Sequence, residues 1–132
     1  MKAVTAAERP DLVEQAWVET ADSIPEYNHH GDVINAYWSR LTTARPEFQF
    51  VLLDVGETIL ARGHSLPMRW DGTIEDLPAG IDGAIVRGFD EGRENALCAM
   101  LIAVPQSHQG RGVSAVAVSE LRGLARATAF RR

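Results

Sequence analysis

The residues best placed to do chemistry are Gln109-Gly110-Arg111-Gly112-Val113-Ser114, between the apolar run Leu97–Val104 and an amphipathic stretch that ends near Phe130. That order predicts a strand, a short turn, a glycine-rich loop and a helix. A helix N-terminus has backbone N–H groups without partners and about half a positive charge, so it attracts phosphate. Glycine at 110 and 112 lets the main chain approach an oxyanion with no Cβ in the way. Arg111 adds a cation to the loop. A plain turn seldom sets two glycines in this register after an apolar strand, so the pattern favours phosphate binding.

The stretch Ala99-Met100-Leu101-Ile102-Ala103-Val104-Pro105, followed by Gln109–Ser114, resembles motif A of the GNAT acyltransferases, Gln/Arg-x-x-Gly-x-Gly/Ala after a strand ending apolar-x-Val. Gln109 and Gly112 stand at motif positions, Gly110-Arg111 fills the variable ones, and Ser114 puts another small residue in place of the usual Gly/Ala. The close match covers residues 96–128. The resemblance implies that the backbone of Gln109, Gly110, Arg111, Gly112, Val113 and Ser114 holds the pyrophosphate of acetyl-CoA. Ile102, Ala103 and Val104 would pair with the pantetheine arm as a strand pairs with its neighbour. An amide around Leu101–Ala103 would face the thioester carbonyl and stabilise the oxyanion. The activity implied is N-acetyltransfer: an amine on a small molecule or peptide attacks the thioester directly, with coenzyme A as co-substrate and no metal. The family's acid, a tyrosine on the helix after the next strand, has no counterpart here. The resemblance therefore implies the N-terminal part of a GNAT domain, with the C-terminal part absent. The alternative is a non-catalytic coenzyme-A-binding or assembly module, inactive without a complementing chain.

Other side chains have plainer readings. Amine attack needs a base, and Glu94 and His108 flank the proposed site, yet a solvated carboxylate and a polar loop residue describe them as well. No catalytic side chain is assigned. Neighbouring histidines, His29-His30, point apart in most conformations and lack a third ligand at metal spacing, so they read as a loop. His64 reads as an ordinary strand residue. Trp17, Tyr37 and Trp38 fall in predicted helices as core or rim, and Trp70 reads as a loop aromatic covering a core, with contact to an acyl acceptor as the sharper alternative.

The chain of 132 residues is 45% hydrophobic and 23% charged, a composition that fits a soluble globular domain. Its net charge of −5 is uneven: residues 1–92 hold 7 Lys/Arg and 16 Asp/Glu, and residues 93–132 hold 6 arginines and 2 glutamates. The acidic larger part argues against nucleic acid as a partner, and the basic remainder suits a small polyanion. Arg122, Arg126, Arg131 and Arg132 read as cations complementing a helix C-terminus. No apolar run is long enough to cross a membrane. Charge appears too early at Lys2 and Glu8 for a signal peptide, so the cytoplasm is the expected compartment. Cys98 reads as a buried, inert thiol.

These residues need a scaffold. Lys2–Thr5 suits a strand, and Pro10 opens a helix with Leu12, Val13, Ala16, Trp17 and Ala21 on one stripe. Asp32 suits an N-cap for a helix carrying Val33, Ala36, Tyr37 and Leu41, ended by Pro46. Phe48–Leu53 and Thr58–Leu66 form a hairpin about Asp54–Glu57. Pro67, Asp71-Gly72, Pro78 and Gly80 mark a loop, and Ile81–Phe89 a short helix. Ala96–Val104 is apolar throughout and reads as a central strand. The last helix carries Val113, Val116, Ala117, Leu121, Leu124 and Thr128. The expectation is one α/β (α+β) domain over residues 1–132. Its GNAT-like, mixed and mostly antiparallel sheet is flanked by helices in the order β-α-α-β-β-(α)-β-α. With no further strand, an unpaired sheet edge would favour self-association.

Overall fold

A computed structural model describes residues 1–24 and 32–128. Four strands form one antiparallel sheet in the order β1-β2-β3-β4: Lys2–Thr5, Gln49–Leu53, Ile59–Met68 and Ala96–Ala103. Among the described residues five α-helices flank it, α1 (Leu12–Glu19), α2 (Asp32–Tyr37), α3 (Ser39–Ala44), α4 (Gly80–Asp90) and α5 (Val113–Ala127). Among the described residues no helix is long and apolar enough to cross a membrane.

Strand alternation divides the core. On one face Val4, Val51, Leu53 and Ile59 pack against Leu12 and Ala16 of α1. Further along that face Leu66 and Met68 meet Leu41 of α3 and Ala84 and Ile85 of α4. The opposite face, with Phe50, Leu52 and Leu60, takes Val113, Ala117 and Leu121 of α5. These α5 residues are the helical stripe expected from the sequence. Leu41 and Ile85 are fully buried, and each such side chain contributes about 1.5–3 kcal/mol.

The expected element order holds, with local departures at the element ends and at Pro67. The helix expected from Asp32 to Pro46 is two helices broken at Trp38, and Asp32 is itself the first helical residue. Ala21 falls outside α1, in a single 3-10 turn over Ala21–Ser23. Phe48 likewise closes a 3-10 turn and leaves β2 to begin at Gln49. Pro67, read as a loop marker, lies inside β3. Both backbone groups of Ser65 face the Gln49 side chain on the β2 side. Pro67 aims the same way, where β2 pairing has ended, so its missing N–H costs no ladder bond.

The largest departure concerns β4. Its apolar composition suggests a central strand, yet it is an edge strand among the described residues. Only Met100 and Ala103 of β4 are buried. Cys98 is half-buried rather than enclosed, and burial still pushes its thiol pKa up. The β3–β4 register steps from Ser65↔Ala99 to His64↔Leu101, which leaves Met100 as the extra residue of a bulge.

Candidate functional site

A cleft of about 440 Å³ opens where β4 ends and α5 begins. Leu101, Ile102 and Val104 line one side, and His108, Gln109, Gly110, Gly112, Val113 and Ser114 the loop side. Ser23 and Ile24, after α1, contribute as well. That segment is tied to the strand end through Asp22. The Gln106 N–H donates to the Asp22 carboxylate at 3.3 Å, and Gln106 Nε2 donates to the Asp22 carbonyl at 2.9 Å.

Gly110 and Gly112 both have left-handed φ, 79° and 76°, with nothing within 4 Å of where a Cβ would stand. The need for glycine here is thus conformational: L residues adopt this region at a cost of about 1–2 kcal/mol. The two turns reverse the chain so that α5 starts on the cleft. Gly112 precedes the helix and no side chain caps it, so N–H groups of the first turn remain available to an acceptor from outside. Gln109 fixes the loop to the strand, since its Nε2 donates to the Val104 carbonyl at 3.0 Å.

Seven of the nine residues expected to hold the cofactor line this cleft. Ala103 does not: its side chain is buried, and it pairs with Arg62 across the sheet. Arg111 is exposed and also outside the lining, with its backbone between the two left-handed glycines. His108 lines the cleft, and its Nδ1 is buried with no hydrogen-bond partner. Glu94 does not flank the cleft. It precedes the other end of β4, where its carboxylate pairs with Arg45. Trp70 is at that far end too, its backbone N–H donating to Asn95 Oδ1 while its side chain packs, partly buried, against the core cluster that includes Leu41 and Ile85. His29-His30 lie outside the described residues, and among those described no group of three side chains could hold a metal.

The sequence reading missed a buried polar cluster on the face of β3 that α1 covers. Gln49 Nε2 donates to the carbonyls of Arg45 and Ser65, which leaves Oε1 as acceptor for the Ser65 N–H. His64 Nδ1, 2.9 Å from that Oε1, must therefore carry the proton. Its Nε2 then accepts from Arg62 Nη1 at 2.8 Å. Arg62 Nε donates to Thr20 Oγ1 at 2.7 Å, and that hydroxyl donates to the Ala16 carbonyl. Burial first, and the Arg62 charge second, hold His64 down to about 3 and hence neutral. Burial pushes Arg62 down to about 10, still a cation at neutral pH. Trp17 covers this guanidinium at 4.1 Å and meets Trp38 edge-on. The signal was present: Arg62 and His64 alternate along β3, on the face that carries Val51.

No protein-family model matches the sequence, and no curated protein matches it. A solved structure does: GphF GNAT-like decarboxylase in complex with isobutyryl-CoA, at a TM-score of 0.70 and 15% identity. The match covers 96% of this chain and 60% of that one. The fold is GNAT-like. At this identity the likeness concerns architecture, and the chain spans less than two thirds of the length of that neighbour.

Proposed function

We propose that the cleft binds a coenzyme A thioester and that the domain transfers its acyl group to an amine. The observation that carries this reading is the uncapped start of α5, set on the cleft by two left-handed glycines at the end of β4. Such an end offers N–H donors and a positive dipole to a pyrophosphate. The isobutyryl-CoA in the complex of the GNAT-like neighbour supports the same ligand class.

In the transfer, the amine nitrogen attacks the thioester carbonyl carbon. The C–S bond then breaks, and the thiolate takes up the proton that the nitrogen gives away. The edge of β4 offers backbone groups to the ligand, and an amide of Leu101–Ala103 stabilises the oxyanion. His108 is the one ionisable side chain among the described lining residues. Calorimetric titration with acetyl-CoA and isobutyryl-CoA tests binding, and thiol release in the presence of mixed amines tests transfer. Saturable binding with release supports the whole reading; absence of binding overturns it.

A second reading, binding without transfer to an amine, is favoured by the sparse acid–base chemistry of the cleft. The neighbour is itself named a decarboxylase, so one fold carries different outcomes. Binding with no thiol release from any amine supports this reading over transfer.

A further inference from the structure

We propose that Arg62 is the floor of a buried site for one water-sized anionic group, a halide or a single oxygen of a small carboxylate. Arg62 is 2% exposed, and its Nη2 is buried without a hydrogen-bond partner. Its other two nitrogens, Nε and Nη1, bond neutral groups, Thr20 Oγ1 and His64 Nε2. Among the described residues no carboxylate pairs with it. A cavity of about 20 Å³ adjoins it, lined in part by Arg62, His64, Trp17 and Thr42.

The chemistry follows from charge as much as from hydrogen bonding. A cavity of this size has room for one water-sized guest. Water would satisfy the Nη2 hydrogens but leave the cation unbalanced, and an unbalanced charge away from solvent is costly. A monoanion meets both needs. The neighbours do not oppose it: Gln49 and Thr42 are neutral, and His64 stays uncharged with its Nε2 turned to Arg62. Arg9, the second cation of the lining, already pairs with Asp11 and Glu57.

Two sources could supply the anion. One is the surrounding solution. The other is an acyl group bearing a carboxylate, since the proposed thioester cleft is next door: Leu101 of the cleft pairs with His64, and Ser23 Oγ donates to the Thr20 carbonyl. Only this second source rests on the coenzyme A reading.

The test compares wild type with Arg62→Met in thermal unfolding at constant ionic strength, as chloride or formate replaces bulky gluconate. The wild-type Tm should climb with the logarithm of the small anion and Arg62→Met should stay flat. Should the variant not fold, bromide-soaked wild-type crystals give a second readout, an anomalous peak beside Nη2. A tenfold or greater preference for malonyl-CoA over acetyl-CoA that Arg62→Met abolishes places the anion on the acyl group. Equal affinities together with the chloride response place it in solution. A wild-type Tm indifferent to both anions, with no bromide peak, no malonyl preference and water alone at Nη2, overturns the site.

Discussion

Gln109 Nε2 donates to the Val104 carbonyl at 3.0 Å, so the glycine loop is fastened to the strand whose edge it extends. The bond is exposed, and it spans the turn over Gln106–His108. Loop and strand end are thereby held as one surface before any ligand arrives.

Gln109→Ala should therefore loosen the loop more than the fold. Losing one such bond costs about 0.5–1.5 kcal/mol, or about two- to tenfold in coenzyme A affinity. Calorimetric titration and thermal unfolding check this together. A large fall in Tm with affinity unchanged would show that the bond serves the core rather than the cleft.

At Gly112, two isosteric substitutions separate backbone strain from charge. Asn and Asp tolerate the left-handed region better than other side chains, so Gly112→Asn and Gly112→Asp should unfold at similar temperatures. The carboxylate of Asp would repel pyrophosphate and remove charge-assisted bonds worth about 1.5–3 kcal/mol each, weakening binding by orders of magnitude. Asn should be much milder. Equal dissociation constants in the two variants would remove the loop from the site.

Arg111 is exposed, so its charge acts through water. Arg111→Ala should weaken coenzyme A binding by about tenfold at low salt, and the loss should fade as salt screens the phosphate. Titrations at two ionic strengths are sufficient. A larger loss, independent of salt, would give Arg111 a structural part in the loop.

His64 links stability to pH. Its folded value of about 3 lies below the ordinary 6.5, so the unfolded chain binds the extra proton between those values. The stability from the neutral ring is complete above the ordinary value and drains away as pH falls toward the folded one, by at most about 1.4 kcal/mol per pH unit. Urea unfolding between about pH 7 and about pH 5 should show this slope, and His64→Gln should flatten it. Identical slopes would mean that other groups carry the acid sensitivity.

The elements legible in the sequence were those whose pattern is local. The α5 stripe from Val113 to Leu121, the hairpin about Asp54–Glu57 and the register of Gly110 and Gly112 follow from spacing alone. Position in the sheet is not a local property. An apolar run such as Ala96–Ala103 looks the same at the centre of a sheet as at an edge lining a cleft. The Arg62 network was hidden for a related reason. Its members Thr20, Gln49 and His64 come from three separate segments, brought together by the sheet register and by the packing of α1 on the sheet.

The pairing of β1 with β2 sets an order of assembly. Asp54 Oδ1 accepts from the N–H groups of Gly56 and Thr58, so the turn between β2 and β3 organises itself within five residues. By contrast Lys2 meets Leu53 across roughly fifty positions, a closure that encloses α1, α2 and α3 and costs more chain entropy. The hairpin should nucleate folding and β1 should join late. Stopped-flow kinetics would then show Asp54→Ala slowing refolding, whereas Val4→Ala chiefly speeds unfolding.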